Sequence, residues 1–142
     1  MLESSFAMSN KVVDMNGDGF PDIVKDDGLN QPSAISISYN NPANPGIFNV
    51  YEVEYALTPY HIGIGDLNND GKLDIVASDD GADRYQLNTG NAANGAVNFG
   101  PSTTFSYLGG GADDGFAGNN HVADLNNDGF KDVIICDVDV DI

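Results

Sequence analysis

The chain has 142 residues, 41% of them hydrophobic, which is enough for one ordinary domain with a buried core and argues against wholesale disorder. Its formal charge is −17, from 22 acidic against 5 basic side chains. Such a field repels phosphate backbones and anionic surfaces, so no nucleic acid is expected as a partner. No apolar run is long enough to span a bilayer, and no membrane insertion is expected.

Helical signals are scarce: 17 Gly, 6 Pro and many Asn and Asp punctuate short apolar or alternating runs, which reads as all-β. After an extension at 1–7, Lys11-Val12-Val13 predicts a strand that runs into the acidic loop Asp14 to Asp22. Asp22 to Lys25 predicts the strand leaving it, and Ala34 to Tyr39 a third. An Asn-, Gly- and Pro-rich turn at 40–46 precedes a fourth strand, Phe48 to Leu57. There Tyr51, Val53 and Tyr55 alternate with Glu52 and Glu54, the period of a sheet with one buried and one wetter face. The pattern restarts with Ile62 to Gly65, the loop Asp66 to Asp74, a strand Asp74 to Ala77, and a third strand Arg84 to Leu87. A turn at 88–95 leads to Val97-Asn98-Phe99 with Thr103 to Leu108 as the fourth strand. The run Gly109-Gly110-Gly111, with no Lys beside it, reads as a turn between repeats. A third copy follows: His121 to Ala123, the loop Asp124 to Asp132, and Asp132 to Cys136.

The three loops share the pattern D-x-N-x-D-G-x-x-D and begin 52 and 58 residues apart, a period that signals a repeat architecture. Four antiparallel strands per repeat of roughly fifty residues is the format of a β-propeller blade. The expected organisation is blade one at 8–58, blade two at 59–110 and a partial blade three at 111–142, about two and a half blades. Closed propellers use roughly four to eight blades. The chain is therefore expected to be part of a longer parent chain, or to assemble edge to edge as a homo-oligomer.

Oxygen-bearing side chains at alternate loop positions suit a hard cation that takes many oxygen ligands, which points to Ca2+. Three ions, one per loop, would change the formal charge from −17 to −11. Gly19, Gly71 and Gly129 occupy position 6, where the chain must turn sharply. An EF-hand is excluded, because position 12 is Lys25, Ala77 or Ile135 instead of a bidentate Glu, and the flanks are strands rather than helices. A cluster of Asx turns without metal is the alternative for any single loop.

These loops, each followed by Ile-Val or Val-Ile, together with Tyr39-Asn40-Asn41 and Leu87-Asn88-Thr89-Gly90 ahead of Phe48 and Phe99, resemble the FG-GAP or VCBS-type repeat. That repeat is familiar from integrin alpha propellers and from many bacterial and fungal extracellular proteins. The resemblance implies Ca2+ held by side chains at positions 1, 3, 5 and 9 and by the carbonyl at position 7. The implied ligands are Asp14, Asn16, Asp18, the Phe20 carbonyl and Asp22 in loop one. In loop two they are Asp66, Asn68, Asp70, the Lys72 carbonyl and Asp74. In loop three they are Asp124, Asn126, Asp128, the Phe130 carbonyl and Asp132. Without a bidentate twelfth ligand, affinities of roughly 10⁻⁴–10⁻³ M are expected, the range of extracellular modules.

Other signals are weaker. Asp26-Asp27, Asp79-Asp80 with Asp83, and Asp137, Asp139 and Asp141 read as solvated acidic turns, with a second cation site on a rim as the alternative. Cys136, the only cysteine, reads as a buried core thiol. His61 and His121 read as surface or packing residues, and Tyr39, Tyr60, Tyr85 and Tyr107 as packing residues with a glycan-stacking platform as the alternative. No basic start followed by an apolar stretch marks a signal peptide, so an excised domain, mature product or fragment of extracellular origin is expected. The functional expectation is a non-catalytic binding or adhesion module with structural Ca2+ and a glycan or protein ligand. The alternatives are a self-assembling extracellular structural protein and, behind it, a scaffold piece of a polysaccharide-degrading enzyme.

Overall fold

A computed structural model describes residues 8–26, 35–49, 52–54, 59–79, 81–106 and 117–137. The expectations for Tyr51, Tyr55, Tyr107, Asp27, Asp80, Asp139, Asp141 and Gly109 to Gly111 fall outside the described residues, as do the outer ends of the expected third and fourth strands. All regular elements among the described residues are strands.

β1 (Asn10–Val13), β2 (Asp22–Asp26), β3 (Ile35–Ser38) and β4 (Glu52–Glu54) form one antiparallel sheet in chain order. β5 (Pro59–Gly65), β6 (Asp74–Asp79), β7 (Arg84–Gln86), β8 (Asn88–Asn91), β9 (Val97–Phe99) and β10 (Thr103–Thr104) follow. Of these, β5, β6, β7 and β10 make a second meander, while β8 and β9 pair apart from it. β11 (Ala117–Ala123) and β12 (Asp132–Asp137) make a third antiparallel pair. The register sets Val13 opposite Asp22, Gly65 opposite Asp74 and Ala123 opposite Asp132, so each acidic loop joins the first two strands of its repeat. The result is a partial, propeller-like all-β fold.

One expected strand is divided differently. Val97–Phe99 pairs with Asn88–Asn91, leaving only Thr103–Thr104 beside β7. The residues expected to be a simple turn make a hairpin because Ala92 N–H donates to Ala96 O and Gly95 N–H to Ala92 O, closing a tight reversal. Repeat one carries a shorter version, a single bridge between Asn40 and Phe48.

The hydrophobic core lies between the first two sheets. Val24, Ile35, Ile37 and Tyr39 from one side meet Ile62, Ile75, Ala77 and Val97 from the other, with Met15 among them. The Tyr39 hydroxyl accepts the Val97 N–H at 2.9 Å, which satisfies the polar end of a buried ring. Because side chains alternate along a strand, Ile75 and Ala77 face this core while Val76 and Ser78 face the opposite way. There β11 packs on β5 and β6, and the buried Asn120 amide donates to Ser78 Oγ and to His61 O.

A sheet with neighbours on both faces has no wet side, and β6 is buried along its whole length. β12 differs. Ile134 is 41% exposed and Cys136 is exposed, so the expectation of a core thiol fails. An apolar run is buried only where another sheet covers it, and none covers this face among the described residues.

Candidate cation loops

Each loop folds in the same way. Asp14 Oδ1 and Asn16 Oδ1 both accept the Asp18 N–H, at 3.0 and 3.1 Å, while Asp14 Oδ2 accepts the Gly19 N–H at 2.7 Å. Asp66 and Asn68 bind the Asp70 N–H in the same fashion, and Asp124 and Asn126 the Asp128 N–H. The carboxylate at position 5 turns back to accept the position-7 N–H in all three loops. The backbone reaches positive φ at position 6, where glycine stands (Gly19 92°, Gly71 84°, Gly129 93°). It does so at position 4 as well: Gly17 73°, Asn69 59°, Asn127 59°. The sequence reading missed position 4, although Gly, Asn and Asn are the residues that tolerate the left-handed region. That choice of residues was the available signal.

Position 9 is a brace. Asp22 is fully buried and accepts two backbone donors, Met15 N–H and Asn40 N–H, both at 2.9 Å. Asp74 does the same with Leu67 and Asn88, each at 2.8 Å. Burial, with repulsion from the carboxylates at positions 1 and 5, pushes both acids above their ordinary value of 3.8, while the two N–H donors pull the other way. Asn40 and Asn88, which the sequence marks only as part of a motif, back this brace. Their side chains donate to Pro21 O and Leu73 O, next to the brace, and accept Gly46 N–H and Gly90 N–H. In loop three, Asp132 accepts Leu125 N–H at 2.9 Å, and no residue in the place of Asn40 pairs with it among the described residues.

The donor set suits a hard cation by its chemistry, since each loop brings carboxylate and amide oxygens of positions 1, 3 and 5 to one turn; the shared N–H that positions 1 and 3 accept is equally that of an Asx turn. Among the described residues no three Asp, Glu, His or Cys side chains form a ready-made metal cluster. The set is instead mixed, with an amide oxygen at position 3 and a carbonyl expected at position 7. The position-9 oxygens retain lone pairs beyond the backbone bonds that they accept. Loop two has a local competitor, since Lys72 Nζ lies 2.7 Å from Asp70 Oδ2 and holds that carboxyl below its ordinary range.

Beyond the loops, Asp26, Asp79 and Asp83 are buried, which corrects their reading as solvated turns. Asp26 accepts Met8 and Ser9 N–H, Asp83 accepts Asp79 N–H, and Arg84 lies 3.5 Å from Asp79. They tie strand ends together. Tyr39 and Tyr60 are buried, as expected of packing residues. Tyr85 packs at a tilt of 46° against Phe105, ring centres 5.0 Å apart, on the wall of a 510 Å³ groove shared with Leu67, Leu87, Lys131 and Val133. His61 is half-buried and His121 exposed, and neither hydrogen-bonds a carboxylate or nucleophile among the described residues.

A family model described as an FG-GAP-like repeat matches residues 66–135, from the first acid of loop two into β12. No curated protein matches the chain.

Proposed function

We propose that this chain, which carries the FG-GAP-like repeat across residues 66–135, is a calcium-stapled extracellular module that binds a glycan or a protein without catalysing a reaction. The repeat generally occurs in extracellular or surface proteins and is typically non-catalytic, which supports both the location and the role. The observation that carries the calcium reading is the threefold recurrence of one loop conformation, with the oxygens of positions 1 and 3 aimed at the same N–H. Asp14, Asn16 and Asp18, with the Phe20 carbonyl and Asp22, would hold the first ion, and the corresponding residues the other two. The bound cation would offset the burial, and the smaller repulsion from positions 1 and 5, that raise Asp22 and Asp74. For the partner, the groove beside Tyr85 and Phe105 offers an aromatic wall and the cationic Lys131, a surface suited to a sugar ring or an extended peptide.

Calcium titration followed by calorimetry and thermal melting tests this reading. With dissociation constants of roughly 10⁻⁴–10⁻³ M, 10 mM Ca2+ stabilises each site by about 1.4–2.7 kcal/mol. Three sites together should raise the melting temperature by on the order of ten degrees or more. Asp14→Ala, Asp66→Ala and Asp124→Ala should each remove one ion of three. A melting temperature that is the same in EDTA and in 10 mM Ca2+ would overturn the structural role of the metal. A glycan array and a matrix-protein panel, run with Ca2+, test the partner class.

A further inference from the structure

The two internal joints between repeats follow one rule. Counting from the first Asp of each loop, the residue at +10 is buried against the next repeat in both joints, joined by +1 in the first and by +12 in the second. In repeat one, +1 and +10 are Met15 and Val24, buried against sheet two, while Asp26 at +12 ties down the chain at Met8 and Ser9. In repeat two, +10 and +12 are Val76 and Ser78, and both are buried where β11 packs. The next repeat answers with residues at −4 and −2 of its first strand. Ile62 and Ile64 answer repeat one, and Asn120 and Val122 answer repeat two. Asn120 and Val122 come so close that a Cβ on Gly63 would lie 2.6 Å from Asn120 Oδ1, and one on Gly65 would overlap Val122.

Both halves of this joint are also presented outward. On repeat three, the +1, +10 and +12 residues are Leu125, 59% exposed, Ile134, 41% exposed, and Cys136, exposed. On repeat one, the −4 and −2 residues are Asn10, exposed, and Val12, 64% exposed. These are the same two residue types, at the same register, as the Asn120 and Val122 that seat on repeat two. We infer that the β11–β12 face of one molecule is a seat for the β1 face of a second copy, giving head-to-tail association that continues the internal stacking of repeats.

Asn10 of the second copy would meet Cys136, which stands where Ser78 receives Asn120. The glycines of the second joint are not repeated on this face: His121 and Ala123 stand where Gly63 and Gly65 do, so the second copy would sit further out, with a spacing nearer that of the first joint, where Lys11 and Val13 hold those places. Such a contact is heterologous, so it builds closed rings or open chains according to its rotation. Two copies with a formal charge of −17 each repel one another, so association should strengthen with salt or divalent cation.

Sedimentation across a concentration series tests the seat, in Ca2+ and in EDTA, so that a failure of the calcium reading leaves the result interpretable. The expected result is a mass that rises with concentration for the wild type. Val12→Glu and Ile134→Glu should each stay monomeric while keeping the wild-type melting temperature when dilute. Cross-linking gives a second readout. The double variant Asn10→Cys/Cys136→Ser is mixed with an equal amount of wild type under mild oxidation, and linked peptides are counted. Links from the thiol at position 10 of the variant to Cys136 of the wild type should exceed either symmetric link by about tenfold, against the roughly twofold excess of random pairing. A wild type that is monomeric throughout both series overturns the inference and leaves the face to another protein or to a further repeat of the same polypeptide. Links at the random ratio overturn it as well.

Discussion

Position 2 of the three loops supplies a substitution series within one molecule. Met15, Leu67 and Leu125 occupy the same place in the same backbone, and each N–H donates to the position-9 carboxylate of its own loop. Replacement by alanine keeps that bond and removes only the side chain. What differs is the cover. Met15 is 2% exposed beneath the β8–β9 hairpin, Leu67 is partly covered, and Leu125 is 59% exposed. Truncating a buried Met or Leu costs about 2–5 kcal/mol through lost transfer energy and the cavity left behind. Met15→Ala should fall in that range and Leu67→Ala at about half of it. Leu125→Ala should stay within about 0.5 kcal/mol, as exposed substitutions do.

For a chain of this length each kcal/mol moves the midpoint by roughly 2–4 °C, so Met15→Ala should melt several degrees lower and Leu125→Ala unchanged. Urea unfolding with saturating Ca2+, at concentrations too low for association, measures the three differences on one scale. Equal costs for Met15→Ala and Leu125→Ala would refute the argument, because burial at this position would then not come from the following repeat.

The other predictions concern the braces and the joints. Asn88→Ala leaves Leu73 O and Gly90 N–H without their partner; it should cost about 1–3 kcal/mol in urea unfolding and weaken calcium binding in calorimetry, with Asn40→Ala a parallel case. Gly65→Ala overpacks the joint against Val122 and should cost about 1–3 kcal/mol, and Val122→Ala in the same chain should recover most of the loss in a double-mutant cycle. In EDTA, the raised carboxyls of Asp22 and Asp74 take up protons in the folded chain before they do in the unfolded one. Their contribution to stability therefore rises as pH falls from 7 toward the carboxylate range, and is lost as pH rises through their folded values. With Ca2+ bound the same protonation expels the ion, so melting curves should show opposite pH slopes in the two buffers. Lys72→Ala frees Asp70 and should tighten calcium at loop two by no more than about fivefold, which calorimetry on Asp14→Ala/Asp124→Ala would isolate.

The loops and the strands joined by them were legible because both are local. Alternating acids, a glycine and an apolar exit are written within about fifteen consecutive residues, and that local pattern is also what drives the pairing of Val13 with Asp22 and its counterparts. The β8–β9 hairpin was not legible, since Asn88-Thr89-Gly90-Asn91 has the composition of a turn and becomes a strand only by pairing with Val97–Phe99. The burial of Asp26 and Asp83 was hidden for a related reason. An acid goes inside only when donors come to it, and the donors to Asp26 are N–H groups 17 and 18 residues away. Cys136 shows the converse: its strand is written locally, but whether a neighbour covers that strand is not.

The asparagine at position 3 links the loop to the joint. An aspartate there would give a cation one more charge, yet all three loops use an amide. In loop one the reason is visible. Asn16 Oδ1 turns inward beside Asp14, while Nδ2 donates to Gly95 O of the next repeat at 3.0 Å. The Asn16 backbone carbonyl in turn accepts from Asn91 Nδ2 at 2.6 Å. A carboxylate could serve the inward side but has no proton to donate outward. Loop two reaches across its own joint through the neighbouring amide, Asn69 Nδ2 to Gly129 O at 2.9 Å. Loop one is therefore also a hinge pin. Whatever orders its inward oxygens also fixes the donor that holds the following repeat, so a cation bound inside one repeat would stiffen the contact between two.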